Sequence, residues 1–299
     1  MLSPLQRPCT ALTTLLLALA LGVTDANAQP KPLQIGIAKT FLTEQPKGAA
    51  EIATDDFKTV LKKTTDLDGV ITSKFSAAEI ADKVANKQLD FGIFHAHEFA
   101  WAQKKDPKLT PLMIAVDNFH VEHAYIIVHK KNAAKTLADL RGKKIDVPLG
   151  TKEHCRLYLQ KRCADLGAMA PSEFFAAIEK SDNKKNALDN VAKESVAAAL
   201  IDRNGLAFYR EVRGPVFEKN LRILEQSGDF PPAVLAYQQG AVDANILDQF
   251  KTGLLKAHTI PDGKDMMKSW NIEAFVAAPK DYTKSAVELL KTYPAPEGK

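Results

Sequence analysis

Short apolar runs alternate with segments of helical periodicity along most of this chain. Leu33–Ile37 reads as a strand, residues 49–63 carry apolar side chains at helical spacing, and residues 70–75 read as a strand again. Residues 89–94 are apolar on both faces, as in a fully buried strand, and from Ala124 the alternation begins a second time. Alternation of this kind predicts an α/β fold in which helices cover the faces of sheets.

Residues 1–28 have the organisation of a cleaved export signal. Arg7 supplies a positive start, residues 11–23 form an uncharged apolar stretch, and Ala26-Asn27-Ala28 supplies a small-x-small cleavage site. The apolar stretch is shorter than the about 20 residues that a membrane-spanning helix needs. Cys9 precedes that stretch, so it does not occupy the position of a lipoprotein cysteine. We therefore expect a periplasmic protein whose mature chain begins at Gln29.

Two cysteines remain in the mature chain, Cys155 and Cys163, and an oxidising compartment favours a disulfide between such residues. Both lie in the segment 153–166, which has helical periodicity. Eight residues of helix rise about 12 Å, whereas a disulfide needs Cα atoms within about 7 Å of each other. The spacing therefore predicts two free thiols packed as small core residues.

Charge and motifs exclude several functions. The formal net charge of +4 is spread along the chain, so it builds no nucleic-acid-binding patch, although it suits a small anionic partner. The sequence contains no G-x-S-x-G, P-loop or His-Glu-x-x-His motif. We therefore expect a binding protein and not an enzyme, with no cofactor and no nucleic-acid partner.

Three segments carry a family resemblance. Residues 89–94 (Leu-Asp-Phe-Gly-Ile-Phe), residues 137–144 (Leu-Ala-Asp-Leu-Arg-Gly-Lys-Lys) and residues 197–202 follow one another in the order seen in one group of transport proteins. They resemble, respectively, the strand before a ligand loop, the opening of the second lobe, and the strand that crosses back towards the first lobe. The group is the type II periplasmic solute-binding proteins of phosphate, phosphite and phosphonate ABC importers. The likeness covers roughly residues 33–260.

The resemblance implies two lobes, each a mostly parallel sheet flanked by helices. Lobe 1 would take residues 29–123, lobe 2 residues 124–224, and residues 225–299 would return to lobe 1 and end in helices. The function implied is that of an ABC importer's binding component, which holds a small phosphate-, phosphite- or phosphonate-like oxyanion between the lobes and docks on a membrane permease. We expect a monomer. A receptor that signals to a membrane kinase and a zinc-uptake protein are the alternatives.

Residues 150–154 (Gly-Thr-Lys-Glu-His) are the first candidate site, because they lead into the cysteine-containing helix. A helix N-terminus exposes unpaired N–H groups and a partial positive charge, which favour an anion. Thr151 could donate a hydrogen bond, Lys152 adds a full charge, and His154 could donate when protonated. In the resembled family a Ser-Thr-Ser-Gly-like cluster occupies this position. The alternative is a simple threonine cap in front of a solvated lysine.

His95 and His97 follow a buried strand and form the second candidate site. Ligands of α/β sheets bind beyond the carboxyl ends of strands, and residues two apart in an extended segment project to the same side. Both imidazoles could therefore donate to an anion. The alternative is that one of them packs against the next helix or caps it.

Three further ligand-binding candidates follow from the resemblance. Tyr125 lies near the crossing between lobes, where a family tyrosine faces the cleft. Asn183 stands near the position of a family histidine. Asp202 ends a strand, where it could accept from a ligand ammonium or tie the lobes together with Arg203. The alternative for Tyr125 is packing beneath the hinge.

Six of the seven histidines lie between His95 and His154, which raises the possibility of a metal site. Zinc sites need three or four His, Cys, Asp or Glu ligands, and this region contains enough of them. The spacings typical of zinc fingers and zinc proteases are absent, however. We therefore predict no metal ligand, and zinc uptake stays the alternative named above.

We predict that signal cleavage leaves a mature chain that begins at Gln29 and leaves the cell on osmotic shock. Intact-mass spectrometry of the released protein tests this, with the uncleaved chain expressed without export as the mass reference. A retained Met1, or a lipid adduct on the released protein, would contradict the prediction.

Overall fold

The fold comes from a computed structural model that describes residues 31–42, 48–117 and 119–296. The predicted export signal lies outside these residues. The strands are β1 (Leu33–Ile37), β2 (Gly69–Thr72), β3 (Phe91–Phe94), β4 (Leu109–Val116), β5 (Ala124–His129), β6 (Lys144–Asp146), β7 (Ala177–Glu179), β8 (Ala198–Asp202), β9 (Leu221–Gln226), β10 (Ala233–Gln238) and β11 (Ala274–Ala277).

The α-helices alternate with these strands. They are α1 (Ala49–Thr65), α2 (Ala77–Ala85), α3 (Ala96–Lys105), α4 (Glu153–Asp165), α5 (Pro171–Phe174), α6 (Lys184–Ala192), α7 (Arg203–Asn220), α8 (Ala244–Leu255), α9 (Pro261–Trp270) and α10 (Tyr282–Thr292). Short 3-10 turns cover Lys39–Leu42, Leu137–Leu140 and Ala257–Thr259.

The strands form two sheets. One has the order β11-β4-β10-β3-β1-β2, and the other has the order β7-β6-β8-β5-β9. We call the parts built on them lobe 1 and lobe 2. The chain enters lobe 1, crosses to lobe 2 after β4 and returns after β9. The predicted α/β architecture is confirmed.

The expectation of mostly parallel sheets is wrong, because both sheets are mixed. In lobe 1, β1 runs parallel to β2 and β3, but β10 is antiparallel to β3 and β4. In lobe 2, β6 runs parallel to β7 and β8, but β5 is antiparallel to β8 and β9. Two parallel neighbouring strands must be joined by a long crossover on one face of the sheet. Strand β10 has no such crossover: it arrives from the other lobe at the carboxyl end of β3, where Val234 pairs with Phe94, and it therefore runs antiparallel to β3.

Local sequence signals place several helix starts. A capping box precedes α2: the Glu79 N–H donates to Ser76 Oγ at 3.3 Å, and the Ser76 N–H donates to the Glu79 carboxylate at 2.7 Å. A second box starts at Thr136, with Asp139 as its acidic partner, and the segment that it begins is a 3-10 turn. Such boxes satisfy first-turn amides that have no partner within the helix.

The sequence patterns missed β4, β7, β11, α5, α6 and α7. In β4, Pro111 lies where the pairing with β10 shifts register, so the strand lacks regular alternation. Helix α7 contains Pro215 and has non-helical backbone angles at Arg213 (φ −137°, ψ 27°). A proline breaks the helical pattern in the sequence, although packing in the folded protein tolerates the kink.

Cys155 and Cys163 are both free and buried, and α4 carries both of them. The prediction of two unpaired thiols on one helix is therefore confirmed. Within the described residues, no helix combines the length and the apolar character needed to cross a membrane.

The two crossover segments pair with each other between the lobes. The Glu122 N–H donates to the Phe230 carbonyl at 2.8 Å, and the Phe230 N–H donates to the Glu122 carbonyl at 3.0 Å. The Ser227 hydroxyl accepts from the Ala124 N–H at 2.9 Å. This short antiparallel pairing is the hinge, and it keeps Glu122 and Phe230 at the junction of the lobes.

The core of lobe 1 supplies a stability prediction. Phe91 on β3 is fully buried and stacks on Phe250 of α8, with ring centroids 4.1 Å apart. We expect Phe91→Ala to lower the free energy of unfolding by about 3–5 kcal/mol, because it removes a large apolar group and leaves a cavity. Urea titration followed by circular dichroism measures the change. The matched control is Phe208→Ala, at a residue that is 53% exposed, and equal losses for both variants would contradict the packing described here.

Candidate functional site

A cavity of about 540 Å³ lies between the lobes at the hinge. Its polar side comes from three sources: the segments that follow β1 and β3 in lobe 1, the hinge, and the first residues of α4 and α6 in lobe 2. The polar residues from these sources are Thr40, His95, His97, Glu122, Thr151, Lys152, Glu153, His154 and Lys184.

The fold explains why lobe 1 presents histidines here. Strands β1 and β3 are parallel neighbours, so their carboxyl ends meet at one edge of the sheet, where ligands of α/β proteins bind. Strand β3 ends at Phe94, and His95 is the N-cap residue of α3, with its backbone N–H donating to Glu98 Oε2 at 3.1 Å. His97 follows in the first turn of α3.

Aromatic neighbours hold both imidazoles in place. The His95 ring stacks on Phe41 with centroids 3.8 Å apart and lies parallel to the His97 ring at 5.7 Å. The His97 ring meets Trp101 edge-on at 4.9 Å. His95 Nε2 is buried and has no hydrogen-bond partner among the described residues. A buried polar atom in this state costs about 1–3 kcal/mol, so a ligand that pairs it gains that amount.

The three histidines of the cavity are neutral at pH 7. Burial, with a smaller contribution from nearby His154, lowers the pKa of His97 to about 3. Burial, followed by the charge of Lys152, lowers the pKa of His154 to about 4. Burial likewise holds the pKa of His95 well below its ordinary value. Each imidazole therefore offers one N–H donor and one acceptor, so His154 can donate to a ligand at neutral pH without being a charged imidazolium.

Lys152 is held in an ion-pair cluster. Its Nζ lies 3.3 Å from Asp117 Oδ2 and contacts Glu122 Oε1 more closely, and its side chain is 24% exposed. Burial opposes its charge, but attraction by Glu122 and Asp202 raises the pKa of Lys152 above its ordinary value. The alternative of a solvated lysine is therefore wrong.

The threonine-cap alternative is also wrong, since no side chain caps the start of α4. The Thr151 hydroxyl instead donates to the Pro148 carbonyl at 2.5 Å. Thr151 is buried. Its hydroxyl proton is engaged with Pro148, whereas its oxygen can still accept a hydrogen bond. In this conformation the Thr151 proton is engaged, so the first-turn N–H groups of α4 are the donors that this segment could offer an anion.

Two buried carboxylic acids near the cavity have raised pKa values. Burial raises the pKa of Glu98 to about 7, although the Thr40 hydroxyl donates to its Oε1 at 2.8 Å. Burial also raises the pKa of Glu122 to about 7 in spite of Lys152, and Glu122 Oε2 has no partner among the described residues. Glu122 can therefore accept or supply a proton near neutral pH.

The remaining predicted residues lie outside the cavity lining. Asp202 is the N-cap of α7, where it accepts from the Gly205 N–H at 2.7 Å, and it forms an ion pair with Lys184. Burial opposes the charge of Asp202, but Lys184 and Lys152 lower its pKa to about 2. Asn183 caps α6, accepting from the Asn186 N–H at 2.9 Å. Tyr125 is buried in the core of lobe 2. Ligand contacts by these three residues stay predictions.

Some lining residues were not predicted from the sequence. Lys184 reaches the cavity because Asn183 caps α6 and leaves the next residue in its first turn. Phe41 and Phe230 line it from a 3-10 turn and from the hinge. The sequence could have indicated Lys184, because Asn183 directly before it is a typical helix cap and therefore places Lys184 at a helix start. The two phenylalanines belong to segments without periodicity, so no pattern indicated them.

Metal binding gains no support from this arrangement. In residues 31–42, 48–117 and 119–296, no three His, Cys, Asp or Glu side chains are grouped as metal ligands. His95 and His97 lie in parallel stacked planes, and the His154 ring nitrogen Nε2 is 3.3 Å from both the His123 carbonyl and the Cys155 sulfur.

Two lobes joined by a paired hinge, with a cleft at the carboxyl ends of strands, define the architecture of a solute-binding protein. A family model for the periplasmic substrate-binding proteins of phosphonate ABC transporters matches residues 40–282. The chain therefore belongs to this family, and the predicted transport function and periplasmic location are confirmed. A search of curated proteins found no match.

Solved structures share the fold. PhnD1 from Prochlorococcus marinus, in complex with methylphosphonate, is 14% identical, with a TM-score of 0.58 over 88% of this chain and 98% of that one. A binding component of a phosphonate ABC transporter from Pseudomonas aeruginosa is 14% identical, with a TM-score of 0.55 over 87% of each chain. A Xanthomonas citri protein bound to ATP is 15% identical, with a TM-score of 0.58 over 87% of this chain and 96% of that one. The predicted two-lobed fold is confirmed.

The ion-pair cluster predicts a pH-dependent variant. Lys152→Met leaves the carboxylates of Asp117 and Glu122 unpaired, and removing one partner of a buried pair costs about 3–5 kcal/mol. Without Lys152 the pKa of Glu122 rises above about 7. A carboxyl group whose pKa is raised by folding stabilises the folded state fully below its unfolded value of 4.5 and loses that contribution as pH rises through the folded value.

We therefore expect Lys152→Met to be least stable relative to the parent at pH 8 and to recover part of the loss at pH 5. Urea unfolding at both pH values measures the difference. Lys63→Met, which breaks the exposed Lys63–Asp262 pair, is the matched control and should have little effect, since exposed pairs contribute little. A loss for Lys152→Met that does not depend on pH would contradict the role given to Glu122.

Proposed function

We propose that this protein binds a phosphonate-type oxyanion in the cavity and delivers it to the membrane permease of an ABC importer. The observation that carries the proposal is the juxtaposition of His95 and His97 from lobe 1 with the start of α4 from lobe 2 in one cavity. An oxyanion between them would accept hydrogen bonds from both lobes. Family membership supports this ligand class, and so does PhnD1, whose structure contains methylphosphonate.

The balance of charge around the polar side favours a monoanion. The cations Lys152 and Lys184 are both paired with carboxylates, and Asp117, Glu122 and Asp202 offset their charge. A dianion would meet little net positive potential here. A ligand that keeps one proton could share it with Glu122 Oε2, which has no partner in the described part of the chain. Neutral imidazoles and helix amides then supply the remaining donors.

Ligand capture would proceed by movement of the lobes about the hinge. Hinge closure around a ligand is the usual mechanism of periplasmic binding proteins, and here the crossover pairing at Glu122 and Phe230 is the segment that joins the lobes. A ligand that bridges the lobes stabilises their closed arrangement, which the permease can recognise. We propose a monomeric receptor without catalytic activity.

We expect methylphosphonate to raise the melting temperature, because a ligand that binds only the native state stabilises it. We expect His95→Leu and His154→Leu to weaken its binding about ten- to a hundredfold in calorimetry, since a hydrogen bond to a charged group contributes about 1.5–3 kcal/mol. His258→Leu, at an exposed histidine outside the cavity, is the matched control.

Two results would overturn the proposal. One is that no phosphonate, phosphite or phosphate shifts the melting temperature. The other is that both cavity variants, His95→Leu and His154→Leu, bind methylphosphonate like the parent. Binding that requires zinc and disappears with a chelator would favour the metal-uptake alternative.

A further inference from the structure

The cavity has a second side that is chemically unlike the first. Its walls come from lobe 1 and are mostly apolar: Ile37, Phe41, Ile52, Trp270, Ile272 and Phe275. The lining residues that carry a formal charge are Glu122, Lys152, Glu153 and Lys184, and all four belong to the hinge or to lobe 2. Among the described residues that line the cavity, lobe 1 therefore contributes no formal charge.

The apolar wall is built into the fold of lobe 1. Helix α9 ends at Trp270, and Asn271 takes the left-handed conformation (φ 55°, ψ 44°) that reverses the chain. The Ile272 N–H donates to the Met267 carbonyl at 3.0 Å, and the chain then enters β11. The Phe275 ring on β11 packs against Trp270 and Phe57, with centroids 6.4 and 6.2 Å away. The wall is thus held by the core beneath it.

The size of the cavity exceeds what a small oxyanion fills. Methylphosphonate has five heavy atoms and occupies about 150 Å³ if each takes the share of one water molecule in the liquid. The cavity measures about 540 Å³. In this conformation an oxyanion bound at the histidines would therefore fill less than a third of the cavity.

We infer that the ligand of this protein is a phosphonate-type anion whose organic substituent is uncharged and apolar and lies against Phe41, Ile52, Trp270, Ile272 and Phe275. This inference rests on the proposed function, because the anionic group is placed at the histidines. Burial of the substituent contributes to affinity in proportion to the area removed from water. Among the described residues that line this wall none is a carboxylate, so an ammonium group on the substituent would be desolvated there without a partner of opposite charge.

Calorimetry with a series of alkylphosphonates tests the inference. We expect affinity to rise about two- to fourfold for each methylene from methylphosphonate to butylphosphonate. The upper value is the increase in affinity that corresponds to the transfer free energy of one fully buried methylene. Propylphosphonate and 2-aminoethylphosphonate form a matched pair of equal length that differ in a methyl and an ammonium group. We expect propylphosphonate to bind at least tenfold more tightly.

A variant at the wall gives a second measurement. Ile52 is 63% exposed and lines the cavity, so its substitution by a polar residue should leave the fold intact. We expect Ile52→Asn to reduce the ratio of butylphosphonate to methylphosphonate affinity at least threefold. The matched control is Val70→Asn, at an exposed β-branched residue of lobe 1 that lies outside the cavity lining, and it should keep the parent ratio.

The outcomes separate the two proposals. If methylphosphonate binds but butylphosphonate binds no more tightly, or if 2-aminoethylphosphonate binds better than propylphosphonate, the inference is overturned and the proposed function stands. An unchanged affinity ratio in Ile52→Asn would also overturn it. If no phosphonate binds, both the proposed function and this inference fail.

Discussion

The buried ion pairs of Lys152 with Asp117 and Glu122 determine how the two lobes meet. Lys152 lies at the start of α4 in lobe 2, whereas both carboxylates belong to the segment that crosses between the lobes. Buried charges are tolerated only when they are paired. Separating α4 from the crossover would leave three of them unpaired, so the helix start is fixed at the hinge, and the position of the cavity follows from that contact.

The same cluster governs the electrostatics of ligand binding. Because Lys152 and Lys184 are already paired, the polar side of the cavity presents mainly neutral donors, and burial keeps the three imidazoles uncharged. A preorganised set of neutral donors discriminates by geometry and by the number of protons on the ligand, because a donor left unpaired in a dry cavity is costly. Specificity in this cleft therefore depends more on hydrogen bonding than on net attraction of charge.

A second contact joins the lobes on the side of the C-terminal helix. The Tyr293 carbonyl accepts from the Trp101 indole N–H of lobe 1 at 2.9 Å, while the Tyr293 ring packs against Phe230 of the hinge with centroids 5.0 Å apart. Phe230 in turn lies 5.3 Å from the His154 ring of lobe 2. A continuous apolar cluster thus runs from lobe 1 to lobe 2 beside the hinge. Movement of the lobes must rearrange this cluster together with the cavity, which couples ligand binding to the relative position of the lobes.

Local patterns in the sequence determined a substantial part of the fold and of the candidate site. The alternation of apolar runs with helical segments identified β1, β3 and β5, and helical spacing showed that Cys155 and Cys163 cannot pair. The position of His95 and His97 beyond a buried strand, and of residues 151–154 at a helix start, identified both halves of the cleft. These features depend on residues close together in the chain, where periodicity and capping have a direct physical meaning.

Only the tertiary structure decided the rest, because it depends on residues far apart in the chain. Packing in the folded protein sets the antiparallel direction of β10. It also stabilises the kinked helix α7 and the strand that contains Pro111, although proline disfavours both helix and strand in the local sequence. Whether Lys152 is solvated or paired depends on Asp117 and Glu122, which lie more than 25 residues away in sequence. The neutral state of the histidines comes from burial by both lobes, and the apolar wall at Trp270 and Phe275 comes from the returning chain. Desolvation and long-range pairing are properties of the assembled fold, and no local pattern encodes them.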